Sequence, residues 1–264
     1  MQKKIMNIKM IVSDLDNTLL RSDKTLSDRT KSVLQKCRES GVKTAYATAR
    51  GGSAEHLTSG VVFDGKINMN GAVAKIGDEI IYARLIPYQT ARPLLMACDK
   101  RGLKITAELN SIHYENEKMS FYNSHETQTP RKTVDFSQHR IDSEKIFVLD
   151  LTPEDVLFIN NLIPESLYFV MARVDNKFDD NKFGMIMHRD ATKSKAVAAL
   201  AEYWGIKQAE IAAFGDDVND IDMLKYCGVG VAVANAVDEV KAAADYICET
   251  SDNDGAAKWI EEFL

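Results

Sequence analysis

Two aspartates one residue apart, Asp14 and Asp16, close the apolar run Ile11-Val12-Ser13, and Asn17 and Thr18 follow at once. A second acidic group, Asp216, Asp217 and Asp220, comes just after another apolar run, Ile211-Ala212-Ala213-Phe214, across Gly215. Carboxylates brought this close repel one another unless a proton or a cation compensates. With oxygen ligands alone and water to complete the shell, a hard divalent ion is favoured, Mg2+ above all. Two more residues fit the same chemistry. Thr48, in Ala47-Thr48-Ala49-Arg50, supplies a hydroxyl donor. Lys193, in Ala191-Thr192-Lys193-Ser194-Lys195, stands ahead of a helical pattern, where the macrodipole disfavours a cation, so an anion nearby would account for it.

Each of these also has a plainer reading. Asp14 and Asp16 alone could be loop acids, and Thr48 a turn hydroxyl. Lys193 could be a solvated charge. Asp217, Asn219, Asp220 and Asp222 could simply cap the helix beginning at Ile221. What favours chemistry is their joint placement at strand exits and helix starts, which a parallel sheet gathers along one edge.

The elements that must position them follow a βα alternation. After the opening strand, Ser27 is placed as the N-cap of a helix carrying Val33, Leu34 and Cys37, which ends at Gly41. Residues Val42 to Ala47 form a second strand, Ser53 to Leu57 a short helix, and Val61 to Phe63 and Lys66 to Asn70 further strand material. A Gly77-Asp78 turn joins strands Val73 to Ile76 and Glu79 to Tyr82.

From about Ala83 the character changes. Helices Thr90 to Lys100 and Pro153 to Leu162 mix with strands Lys104 to Ala107, Ser111 to Tyr114, Ile146 to Leu149, Leu167 to Val174 and Phe183 to Met187, and a polar piece from Asn116 to Arg140 lies among them. No glycine-rich phosphate loop or acid cluster occurs there, so this insert is assigned to covering or recognition. The alternation then returns with a helix after Thr192 closed by Gly205, the strand Ile211 to Phe214, helix Ile221 to Tyr226, strand Gly228 to Ala234, helix Val237 to Ala244, strand Tyr246 to Cys248 and helix Gly255 to Phe263. The fold class is therefore α/β, with a Rossmann-like parallel sheet covered on both faces. Residues 1-82 and 190-264 are expected to form a discontinuous core domain, and 83-189 an inserted α/β domain.

Composition narrows the partners. The 264 residues are 45% hydrophobic and carry a formal net charge of -6 without a basic tract, which argues against a nucleic-acid surface. Apolar runs are too short to span a bilayer and Met1-Gln2-Lys3-Lys4-Ile5 leads into polar residues, so a cytoplasmic location without a membrane partner is expected. Cys37, Cys98, Cys227 and Cys248 lie far apart, as do His56, His113, His125, His139 and His188, so neither a zinc site nor a disulfide framework is signalled. Oligomeric state leaves no mark in the sequence.

Taken in order, Asp14-Leu15-Asp16-Asn17-Thr18, Thr48 in Ala-Thr-Ala-Arg, Lys193 in Thr-Lys-Ser-Lys and Gly215-Asp216-Asp217-Val218-Asn219-Asp220 resemble motifs I to IV of the haloacid dehalogenase (HAD) superfamily. More narrowly, the chain is similar to the Cof-type phosphatases, whose C2-type cap is inserted between motifs II and III, where the insert falls here. Asn70-Gly71-Ala72, Asn235 to Lys241 and Asp254-Gly255 extend the likeness over the core, while the cap matches by position and length only. The resemblance implies a Mg2+-dependent phosphatase acting on a small phosphorylated metabolite, a sugar phosphate by family habit. It makes Asp14 the nucleophile and Asp16 the acid and base. It gives the metal to Asp14, the Asp16 main-chain carbonyl and Asp216, and the phosphoryl oxygens to Thr48, Lys193 and Asn219. Asp217 and Asp220 become outer partners of the metal, and the cap a cover that excludes water. A phosphomutase of the phosphomannomutase type shares the covalent step, and a non-catalytic phosphometabolite-binding protein would share the pocket. Two departures bear on substrate preference: Ala49 stands where the family usually has Gly, and Val233-Ala234 where it has Met-Gly. Ala49 would be strained if its φ had to be positive.

Overall fold

The structure is a computed structural model and describes residues 7–120, 130–173 and 182–262. It divides into two compact units, Met1–Ala83 with Thr192–Leu264, and Arg84–Ala191. Among the described residues no helix is long and apolar enough to cross a membrane.

The first unit opens with β1 (Met10–Ser13), α1 (Asp28–Glu39), β2 (Lys43–Ala47), α2 (Ser53–Leu57), β3 (Gly65–Asn68), β4 (Val73–Ile76) and β5 (Glu79–Ala83). The second unit holds α3 (Tyr88–Arg101), β6 (Lys104–Leu109), β7 (Ile112–Glu115), α4 (Glu117–Ser120), β8 (Arg131–Thr133), β9 (Lys145–Leu149), α5 (Pro153–Leu162), β10 (Leu167–Arg173) and β11 (Lys182–His188). The chain then completes the first with α6 (Lys193–Trp204), β12 (Ile211–Gly215), α7 (Ile221–Tyr226), β13 (Val229–Val233), α8 (Asp238–Ala243), β14 (Tyr246–Cys248) and α9 (Gly255–Glu261). Of the expected elements, Val174, Phe263 and part of the 116–140 piece fall outside the described residues.

In the first unit the strands form one sheet in the order β14-β13-β12-β1-β2-β3-β4-β5, parallel from β14 to β3 and antiparallel beyond. Strand β1 pairs with both β2 and β12, so the winding reverses direction beside it. A crevice at the carboxyl ends of the strands is expected at such a reversal. Alternate residues of β1 feed opposite faces. Met10 and Val12 pack with Val197 and Leu200 of α6, Met223 of α7 and Val240 of α8. Ile11 packs with Val33 and Leu34 of α1 and Trp259 and Ile260 of α9. Burial on both faces explains why these strands read as continuous apolar runs.

The helix starts are specified locally. The Ser27 hydroxyl accepts from the Thr30 N–H at 3.0 Å, as its sequence position predicts. Thr192 does the same for Lys195 at 3.3 Å, which makes Lys193 the first residue of α6 and not a residue preceding it. One strand expectation is overturned. Val61 to Phe63 is irregular, with Val62 61% exposed and Phe63 alone of the three buried. A β-branched and aromatic run has strand propensity, but no ladder is available there to hold it.

In the second unit the sheet order is β10-β11-β9-β6-β7-β8, antiparallel except for β7 with β8. One face packs Ile105, Ala107, Ile146, Val148 and Ile186 against Leu94, Leu95 and Cys98 of α3 and Ile159 of α5. The alternate register includes polar and aromatic residues: His113 Nε2 lies 3.4 Å from Glu108, and the Lys145 ammonium sits 4.4 Å from the centre of the Phe147 ring.

The close of β3 shows how tightly the first unit is fitted at the strand exits. Met69, Asn70 and Gly71 have φ of 51°, 52° and 95°, a left-handed run that only the glycine adopts without strain. A Cβ on Gly71 would lie 2.1 Å from the Thr192 carbonyl oxygen, just ahead of Lys193. The substitution Gly71→Ala is accordingly expected to cost about 2–4 kcal/mol in urea unfolding, from backbone strain and overpacking together.

Candidate active site

The apolar strand β1 ends at Ser13, and the chain leaves it through Asp14, whose N–H donates to the Phe214 carbonyl of β12 at 2.9 Å. From Leu15 the backbone turns tightly, closed by the Leu20 N–H on the Leu15 carbonyl at 2.8 Å and bent at Asn17, φ 55°. The turn sends the Asp14 and Asp16 side chains to different surroundings, although only one residue separates them.

Asp14 is buried, and its Oδ1 accepts from Lys193 Nζ at 2.6 Å. The same ammonium donates to Asp220 Oδ1, also at 2.6 Å, and both Lys193 and Asp220 are closed off from water. Asp220 reaches this position because Gly215 has no side chain: a Cβ there would meet Asp220 Cβ at 2.4 Å. The other Asp220 oxygen accepts from the N–H groups of Asp216 at 3.0 Å and Asp217 at 3.2 Å. Asp216 in turn accepts from the Thr18 hydroxyl at 2.7 Å. Asp220 is one of three carboxylates, with Asp14 and Asp216, whose oxygens lie within 4.8 Å of one another.

Three carboxylates share one ammonium here, and the charges show it. Burial pushes the Asp14 carboxyl well up, opposed by Lys193 and aided by Asp220 and Asp216. Asp216 is pushed up to about 6, first by burial, with Thr18 holding it down and Asp220 lifting it. Burial disfavours the Lys193 ammonium, yet Asp14 and Asp220 outweigh it and hold its pKa above the usual lysine value. The negative excess and the all-oxygen donor set fit a hard divalent cation, Mg2+ in particular, with Asp14, Asp216 and Asp220 as candidate ligands. Among the described residues this is the one group of His, Cys, Asp and Glu side chains close enough to share an ion.

Asp16 stands apart. The Arg50 guanidinium grips it with both prongs, Nε to Oδ2 at 2.6 Å and Nη2 to Oδ1 at 2.8 Å, and Lys24 Nζ lies 3.0 Å from Oδ1. Burial would raise the Asp16 pKa, but the hydrogen bonds from Arg50 and Lys24 bring it below the usual carboxylate value. Thr48, buried at the exit of β2, accepts at its hydroxyl from the Arg50 N–H at 3.2 Å and so keeps its own O–H as a donor. The φ of Ala49 is not positive, so alanine in place of glycine brings no strain there. Asn219 Nδ2 donates to Asn70 Oδ1 at 2.9 Å, and the Asn70 N–H donates to the Thr48 carbonyl at 2.9 Å. The left-handed turn after β3 thereby ties three strand exits together.

Two acids take structural work. Asp217 is exposed and accepts from the Val218 N–H at 2.7 Å, outside the group of three. Asp222 serves not its own helix but α6, accepting from Ser194 N–H at 3.1 Å and Ser194 Oγ at 2.6 Å. Sequence reasoning did not single out the roles of Thr18, Lys24, Arg50 and Asn70. Arg50 left a signal, a cation two residues after Thr48. The others depend on side-chain directions that spacing does not carry.

Residues 11–260 match the family of haloacid dehalogenase-like hydrolases. The chain is 28% identical to YxeH of Bacillus subtilis over 97% of its own length and 98% of that protein's. It is 25% identical to the 5-amino-6-(5-phospho-D-ribitylamino)uracil phosphatase YitU of the same organism, over 97% of each. Among solved structures, BT1666 from Bacteroides thetaiotaomicron, described as a HAD-superfamily phosphatase, superposes with a TM-score of 0.80 at 28% identity, covering 99% of this chain and 97% of that one. The HAD subclass IIB sugar phosphatase BT4131 superposes with a TM-score of 0.77 at 26% identity, over 97% and 98%.

The ion pairs of Asp220 set the stability of this arrangement. Asp220→Ala leaves Lys193 short of a partner and two backbone N–H groups unanswered, and should cost about 3–5 kcal/mol in denaturant unfolding without divalent metal. Asp220→Asn, which keeps the acceptor for the two N–H groups, should lose less.

Proposed function

The chain belongs to the haloacid dehalogenase-like hydrolases, and on that footing we propose that it is a Mg2+-dependent phosphatase of a small phosphorylated metabolite, working through an aspartyl-phosphate on Asp14. The observation that carries the reading is the buried ammonium of Lys193, held 2.6 Å from Asp14 beside a group of three carboxylates of which Asp14 and Asp220 are buried and Asp216 half-buried. That is where a nucleophilic carboxylate and an arriving phosphoryl group, both anions, need charge relief.

Asp14 would attack phosphorus through a carboxylate oxygen as the bond to the ester oxygen breaks. Ionised, it needs no general base. Lys193 holds Asp14 in line and, with the Thr48 hydroxyl and Asn219, would take up phosphoryl oxygens. Asp16 would give a proton to the departing alkoxide and then take one from the water that cleaves the acyl-phosphate, each half-reaction leaving it ready for the next. Mg2+ would be held by Asp14, Asp216 and the Asp16 main-chain carbonyl, with Asp220 beside them, and would supply neutralising positive charge. The names of two relatives support a phosphate ester of a sugar or polyol as substrate: one is a sugar phosphatase, the other acts on a phosphorylated ribityl chain.

Phosphate release from a panel of sugar, polyol and nucleoside phosphates is the test. Activity should vanish with a chelator and return with Mg2+. Asp14→Asn should lower turnover by on the order of a thousandfold or more while the fold persists. Activity in purified Asp14→Asn equal to the native chain's would falsify the nucleophile assignment.

A further inference from the structure

Lys193 and Arg50 are both cations at the strand exits, and they are committed to very different degrees. Lys193 is locked between two buried carboxylates with its side chain closed to solvent. Arg50 keeps 34% of its side chain exposed, and its partner Asp16 keeps 28%. An ion pair that open to water costs less to separate than one closed off from solvent. The proposed chemistry also requires its separation. With Arg50 on both oxygens and Lys24 on one of them, the Asp16 carboxylate is not placed to exchange a proton with a leaving group.

We propose that Arg50 is a second phosphoryl-holding group, shared between Asp16 and the anion, so that arrival of a phosphate ester draws the guanidinium off Asp16 and frees that carboxylate. The backbone of Arg50 is fixed at the site, its N–H on the Thr48 hydroxyl at 3.2 Å and its carbonyl accepting from the Met69 N–H at 3.0 Å. The side chain can therefore swing without moving the strand exit. Its charge already acts on Asp14 as well as on Asp16. A guanidinium fork matches two phosphoryl oxygens as well as it matches a carboxylate, and a phosphate monoester carries nearly two negative charges near neutral pH against the carboxylate's one. Lys24, 3.0 Å from Asp16 Oδ1, remains to partner the carboxylate once Arg50 has left. The inference deepens the phosphatase reading and rests on it.

The test is the affinity for inorganic phosphate with Mg2+ present, measured by titration calorimetry on the native chain, Arg50→Ala, Arg50→Lys, Asp16→Asn and the Arg50→Ala/Asp16→Asn pair. Circular dichroism confirms that each is folded. Arg50→Ala should weaken phosphate by about tenfold or more, and Arg50→Lys should restore only part of it, since a point charge replaces a fork. Asp16→Asn should tighten phosphate, because the competitor for Arg50 is gone. That tightening should be at least about threefold larger with Arg50 present than in its absence. Phosphate bound equally well by the native chain and Arg50→Ala, or tightened equally by Asp16→Asn with and without Arg50, would overturn the sharing. Failure of the phosphatase reading shows separately, as a native chain that binds phosphate but releases none from any ester.

Discussion

The first unit is organised around an ammonium held between two carboxylates out of reach of water. Moving such charges from water is expensive, and their mutual attraction repays it only when geometry and further hydrogen bonds are good. Here the supporting bonds are present: the second Asp220 oxygen takes two backbone N–H groups, and Asp14 hangs from the ladder between β1 and β12. Negative charge is still in excess, because among the described residues three carboxylates, Asp14, Asp216 and Asp220, stand against the one ammonium of Lys193. A well-packed apolar core would have been the more stable solution. That the site keeps one lysine against three acids is intelligible if further positive charge and a phosphoryl group are what it is shaped to receive.

What the sequence made legible was the scaffold. Apolar runs gave β1 and β12, and Ser27 and Thr192 marked helix starts through the side-chain oxygens that answer bare N–H groups. The Gly77-Asp78 turn set the β4–β5 hairpin. The gathering of Asp14, Thr48, Lys193, Asp216 and Asn219 at the strand exits was readable for the same reason, since parallel winding fixes which ends meet. Pattern failed where packing decides. Val61 to Phe63 has strand chemistry but no neighbour to pair with. Asp217 and Asp220, three residues apart on one short turn, looked alike. One faces its own backbone in solvent and the other the buried lysine, a distinction made by the missing side chain at Gly215.

The two acids of the first motif differ for a comparable reason. Asp14 is held by its N–H on the Phe214 carbonyl of β12 and by the Lys193 ammonium on its side chain, whereas Asp16 lies within the bent turn and meets Arg50 and Lys24 from the neighbouring loops. A nucleophile gains from rigidity, because its line of approach must be kept. A proton carrier serves two events and gains from being releasable. On the roles proposed above, the two properties would fall to residues two positions apart, one at the end of the ladder and one beyond it.

Strand β1 has a parallel neighbour on each side, and the two arrive at very different times. Its partner β2 follows within a few dozen residues, but β12 and Lys193 come only after the whole second unit, with Asp14 and Lys193 separated by 179 positions. At ribosomal rates of about 5–20 residues per second, that interval is on the order of ten to forty seconds. Throughout it β1 presents an open edge, and Asp14 has neither its lysine nor its ladder bond to Phe214. A late-arriving central pairing of this kind makes folding slow and the nascent first half prone to pairing with other chains. The intervening unit pairs its own strands largely antiparallel, with contacts contained within it, and so has no need to wait for that late pairing.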